Sequence, residues 1–131
     1  MNWLRRDNFA ALNMIYKRWS PTWKYDQSEL DAIRACFSQP GAVEAALGYY
    51  WAFFTNRSNP VVQTLLRRKT SVPTLCVLGV EDGALPAVDE ERVRRAFTGE
   101  YQQVTLPGVG HFPHREAPNA FADAVLAFLG E

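Results

Sequence analysis

Two side chains in this sequence, Asp82 and His111, combine a chemistry and a setting that could run proton transfer. A neutral imidazole accepts a proton near neutral pH. A carboxylate bonded to its other ring nitrogen fixes the tautomer and stabilises the imidazolium that forms. Asp82 stands in the run Gly79-Val80-Glu81-Asp82-Gly83, and His111 ends the run Pro107-Gly108-Val109-Gly110-His111. Taken singly, each has an ordinary structural explanation, because Asp beside glycine is a frequent turn former and either residue can be plain loop. His114 is the only other histidine and stands in no comparable frame. Glu116 is expected to cap or charge-stabilise the last helix, which begins just after it.

The elements around the pair give it meaning. Residues 72–78 form a short, nearly continuous apolar run after Pro73, as expected of a strand buried on both faces of a parallel sheet. Residues 89–97 read as a helix, with acids at its start, arginines toward its end and Gly99 as its cap. Residues 101–106 alternate and are more polar, as an edge or near-edge strand would be. A closing helix is expected over residues 118–129, with Pro118 in its first turn and Gly130 at its stop. Strand, helix, strand at this spacing is a βαβ unit, so the strands should be parallel. Asp82 then follows the C-terminal end of one strand and His111 that of the other. Neighbouring strands lie about 4.8 Å apart, so the two loops can bring carboxylate and imidazole together.

Upstream of about residue 70 the chain is aromatic and helical. Helices are expected over residues 8–19, from about 28 to a break at Pro40-Gly41, over 42–54 and over 60–68. The third is apolar around most of its circumference and is expected to be covered on several sides, its aromatic run packing against neighbouring helices.

Residues 71–129 resemble the closing segment of the α/β-hydrolases. The likeness is carried by Val72-Pro-Thr-Leu75, Gly79-x-Glu-Asp82, Pro107-Gly-x-Gly-His111, Glu116-x-Pro118 and Phe128-Leu129, in that order and at those separations. It implies an α/β fold with two parallel strands in a βαβα unit (residues 71–131), preceded by a helical cap segment (residues 1–70). It also implies that Asp82 and His111 are the acid and base of a catalytic triad. Ala45-Ala-Leu-Gly-Tyr-Tyr50 resembles the final cap segment of the epoxide hydrolase and haloalkane dehalogenase branch. By that resemblance the Tyr50 hydroxyl would donate a hydrogen bond to a substrate oxygen. The next residue, Trp51, replaces the arginine usual in that branch.

The family's nucleophile stands on a Gly-x-Ser-x-Gly turn, or one with Asp or Cys at its centre. None of the five serines, six aspartates or two cysteines of this sequence has that glycine frame. The expectation is therefore cap plus C-terminal lobe of a truncated hydrolase. The intact form would cleave a small, largely apolar ester, epoxide or related substrate, while the chain alone would be inactive. The alternatives are a non-catalytic module that binds apolar ligands or oligomerises through an open strand edge, and an enzyme whose nucleophile comes from another subunit.

Composition narrows the field further. The 131 residues carry 14 basic and 14 acidic side chains, so no surplus of positive charge points to nucleic acid or an anionic membrane. Two histidines without a patterned set of acids or cysteines imply no metal site, and no cofactor is expected. Gly108-x-Gly110 is not expected to open a helix, so no phosphate-binding loop is read there. Cys36 and Cys76 are too few for a disulfide framework. A polar N-terminus and no long apolar segment lead to the expectation of a cytoplasmic protein. Expected partners are a small apolar substrate and either a missing N-terminal half or a second copy covering the exposed strand.

Overall fold

A computed structural model of the chain describes residues 3–85 and 87–130. Contacts gather these into two units, one of Met1–Ile15 with Tyr25–Arg68, the other of Tyr16–Lys24 with Lys69–Glu131. Residues 16–24, which the sequence reads as part of the helical half, thus group with the strands.

The helical unit draws on α1 (Ala10–Trp19), α2 (Gln27–Phe37), α3 (Ala42–Asn56) and α4 (Pro60–Arg67). Its core is Leu4, Phe9, Ala11, Leu12 and Val43, with Ile33, Phe37 and Leu47 packed against it. Val43 has no exposed surface at all. Asp26 caps α2 by accepting the Glu29 N–H at 3.2 Å, and Asn59 caps α4 by accepting the Val61 N–H at 2.9 Å. Gly41 takes φ +78° to turn the chain into α3, a conformation that costs residues with a Cβ more than glycine.

The aromatic second half of α3 departs from expectation. Tyr49, Tyr50, Trp51, Phe53 and Phe54 are between 50% and 72% exposed rather than packed. Only the start of the helix, through Val43 and Leu47, reaches the core. Beyond it the rings meet one another edge to face, Tyr49 on Tyr50 and Phe53 on Phe54, both with centroids 5.6 Å apart.

The second unit contains β1 (Thr74–Gly79), α5 (Glu90–Arg94), β2 (Tyr101–Leu106), α6 (Pro113–Glu116) and α7 (Pro118–Leu129). The strands are parallel neighbours in register from Thr74 opposite Tyr101 to Gly79 opposite Leu106. Helices α6 and α7 pack against β1. The residues of β1 are half-buried instead of buried on both faces. Among the described residues its only strand partner is β2, so one edge of β1 is unpaired there.

Two helices also differ from the sequence reading. Helix α5 stops at Arg94 because the following turn brings Thr98 and Gly99 onto the Thr70 carbonyl, pulling the chain into β2. Gly99 is needed there for close approach, since a Cβ would collide with the Ser71 carbonyl. The single-turn α6, directly after the Gly-x-Gly-His loop, has no counterpart in the expected elements. Pro113 at its first position supplies a preset φ where no N–H is needed. Among the described residues no helix is long and apolar enough to cross a membrane.

Candidate functional site

The parallel pairing puts the loops after β1 and β2 at one end of the sheet. They touch there directly. Val80 N–H bonds the Leu106 carbonyl at 3.0 Å, and Glu81 N–H bonds the Val109 carbonyl at 2.8 Å. Gly79 is what lets them close. A Cβ at that position would drive into the carbonyls of Val109 and Gly110.

This contact brings Asp82 and His111 together. His111 Nδ1 lies 2.8 Å from Asp82 Oδ2. The other carboxylate oxygen, Oδ1, accepts the backbone N–H groups of Ala84 at 2.7 Å and Leu85 at 3.0 Å. Both follow Asp82 in the same loop, so a local turn aims the carboxylate at the imidazole. The side chains are 11% exposed for Asp82 and 26% for His111.

Burial by itself would raise the Asp82 carboxyl above its ordinary range. The hydrogen bond from His111, the two backbone N–H groups and the electrostatic pull of His111 outweigh it, so its pKa is lowered. An ionised Asp82 acts as an acceptor and holds the proton on Nδ1, leaving the lone pair on Nε2. A histidine so arranged can take a proton from a hydroxyl or a water and return it to a leaving group.

The surroundings of the histidine are aromatic. The ring of Trp19 meets His111 edge-on with centroids 4.9 Å apart, and Phe112 does so at 5.0 Å. Tyr16 stacks on Phe112 at 4.8 Å, and Trp23 lies 5.6 Å from the same ring. A cleft of about 220 Å³ runs beside Asp82, lined by Leu78, Val80, Leu85, Val88 and Thr105 among others.

The comparisons with known proteins agree with this architecture. No family model matches the sequence. Epoxide hydrolase A of Mycobacterium tuberculosis is 30% identical over 109 residues, 83% of this chain and 33% of that protein. Epoxide hydrolase 3 of mouse is 34% identical over 103 residues, 78% of this chain and 26% of that protein. The crystal structure of a candidate epoxide hydrolase from Klebsiella pneumoniae superposes with a TM-score of 0.77 at 26% identity. It covers 95% of this chain and 43% of that one. The chain is part of an α/β-hydrolase fold, homologous to the epoxide hydrolases. It spans between a quarter and a third of the length of those two curated relatives.

Within this α/β-hydrolase frame, the residues singled out from sequence fall in different places. Asp82 and His111 are in hydrogen-bond contact. Tyr50 belongs to the helical unit, on α3, where it is 50% exposed.

Sequence reasoning missed what three further residues do around His111. Glu116 does not cap α7, which has no side-chain cap. It turns back toward the histidine loop, where Oε2 accepts the Gly110 N–H at 2.8 Å and Oε1 the Phe112 N–H at 3.0 Å. Its Oε1 also accepts the Ser20 hydroxyl at 2.7 Å. Ser20, which the sequence shows only as a helix stop before Pro21, is 1% exposed. Trp19 contributes both its ring and its carbonyl. Glu116-x-Pro118 was visible as a motif, but no local signal could connect Ser20 to a loop 91 residues away.

Proposed function

We propose that this chain supplies the acid and base of an α/β-hydrolase that cleaves a small, largely apolar epoxide, ester or related substrate. The observation that carries the reading is the 2.8 Å contact between His111 Nδ1 and an ionised, backbone-anchored Asp82. His111 would activate either a serine nucleophile or the water that cleaves an aspartyl-ester intermediate. Homology to the two epoxide hydrolases favours the water, and Tyr50 would donate its hydroxyl to the substrate oxygen. The nucleophile is not among these 131 residues, so the chain alone should have negligible turnover.

Two assays test this. Purified chain offered aryl esters and epoxides should give no more product than His111→Ala; turnover that disappears in the variant would sink the claim that the nucleophile lies elsewhere. Complemented with the N-terminal lobe of a related epoxide hydrolase, the chain should turn over epoxide, and Asp82→Asn or His111→Ala should abolish it. Tyr50→Phe should slow it. Turnover indifferent to Asp82 and His111 would refute the assignment.

The exposed aromatic rings of α3 favour a second reading, a non-catalytic module that binds apolar ligands or a second copy of itself. The strand edge of β1 without a described partner adds to it. Under that reading, complementation yields no turnover, while size-exclusion chromatography shows concentration-dependent assembly.

A further inference from the structure

We propose that residues 18–20 and Glu116 form a positioning clamp that fixes the distance between the loop carrying Asp82 and the loop carrying His111. The purpose assigned to the clamp rests on the hydrolase reading; its existence does not.

The clamp works through the backbone. The Trp19 carbonyl oxygen accepts the Gly83 N–H at 2.9 Å and the His111 N–H at 3.2 Å. One atom therefore ties the residue after the acid to the histidine itself. Ser20 Oγ accepts the same His111 N–H at 2.9 Å and donates to Glu116 Oε1 at 2.7 Å. Glu116 in turn holds Gly110 and Phe112, the residues on either side of His111. Three consecutive N–H groups of the histidine loop, at 110, 111 and 112, are thus all bound by Trp19, Ser20 or Glu116.

Sterics fit the same reading. A Cβ on Gly83 would collide with the Arg18 carbonyl. A Cβ on Gly110 would come within 2.5 Å of Ser20 Cα and 2.7 Å of its Oγ. Both loops therefore carry glycine where residues 18–20 press against them. The Ser20 hydroxyl is buried and both accepts and donates, so deleting it leaves the His111 N–H with the Trp19 carbonyl alone and Glu116 Oε1 with the Phe112 N–H alone.

The consequence is geometric. A displacement of about 1 Å at a reacting group can cost about a hundredfold in rate, so an imidazole carried by a Gly-rich loop needs its backbone fixed. Sequence-local turns orient Asp82, but His111 has no such turn and depends on partners from residues 18–20 and from α6.

The test uses the 131-residue chain and needs no turnover. Proton NMR follows solvent exchange of the His111 Nδ1–H in Ser20→Ala, Glu116→Gln and the double variant, each isotope-labelled on histidine. Glu116→Gln keeps the volume but offers a single acceptor oxygen to three donors, so it must break at least one bond. Each single variant should exchange about tenfold faster than wild type, and the double variant little more than either, because the bonds form one network. Thr70→Val, which removes a hydroxyl at the far end of β1, is the control for general destabilisation. If Ser20→Ala does not fold, Glu116→Gln alone decides. The clamp is overturned by exchange within about twofold of wild type, by equal acceleration in Thr70→Val, or by an unprotected Nδ1–H in the wild type. Failure of the hydrolase reading would show in the complementation assay and leave these exchange rates untouched.

Discussion

Replacing Asp82 with Asn tests the pair more sharply than deleting it. The side chain keeps its size but loses its charge and one of its two acceptors. In the native chain, Oδ1 serves two backbone N–H groups and Oδ2 serves His111 Nδ1. Asn has one oxygen, so either the Ala84 and Leu85 N–H groups or the imidazole must face its NH2. If the oxygen stays with the backbone, the NH2 donates to Nδ1, and His111 is driven to the tautomer protonated on Nε2. Hydrogen bonds to a charged group contribute about 1.5–3 kcal/mol, and with Asp82 only 11% exposed water recovers little of the loss. Asp82→Asn should therefore destabilise the second unit by about 1.5–3 kcal/mol near neutral pH, read from urea unfolding at unchanged m-value. Its sign with pH is fixed. The folded carboxyl titrates below its unfolded value, so its stabilisation is present above the unfolded range and is lost as pH falls through the lowered folded value. The wild-type advantage should shrink over that acidic interval. Nitrogen-15 shifts of His111 report the tautomer. A stability loss under about 0.5 kcal/mol together with an unchanged tautomer would refute the argument that Asp82 orients the imidazole.

Three further outcomes follow from the packing. Gly79→Ala should cost more than about 2 kcal/mol in urea unfolding and disturb the His111 resonances, because its Cβ meets the Val109 and Gly110 carbonyls rather than a movable side chain. Val43→Ala should destabilise the helical unit by about 2 kcal/mol, since Val43 is fully buried; an effect below about 0.5 kcal/mol would mean the core is not where it is drawn. Tyr101, whose phenol is pushed up to about 12 by burial, then by neighbouring Cys76 and Glu90, should ionise well after a solvated tyrosine in ultraviolet titration. Its raised folded value means that stability is intact below the unfolded tyrosine range and falls as pH rises toward 12.

The hydrogen-bonding logic also explains which mistakes the sequence invites. Apolar content read residues 72–78 as a strand buried on both faces, yet every residue of β1 is only half-buried. The same inference covered the α3 aromatics, which lie exposed. Both readings equate apolar composition with burial. Composition records what a segment is suited to pack against, not whether these 131 residues contain that partner. The length of α5 was overestimated for a different reason. Its charges favour a longer helix, but Thr70 captures Thr98 and Gly99 and ends it early.

What the sequence determined by itself was local or periodic. The two strands, their parallel pairing through a helical crossover, and the placement of Asp82 and His111 after equivalent strand ends all follow from short-range patterns and the handedness of the polypeptide. The same patterns allowed the pair to meet, because parallel neighbours put both loops at one end of the sheet. The tertiary structure alone decided how the histidine loop is held. Ser20 lies 91 positions from His111 and Glu116 lies 96 from Ser20, and no propensity or period links them. Their hydrogen bonds exist because folding removes the loop's N–H groups from water and some acceptor must replace it. Asp82 and His111 were visible from their own neighbourhoods; what holds them 2.8 Å apart was written elsewhere in the chain.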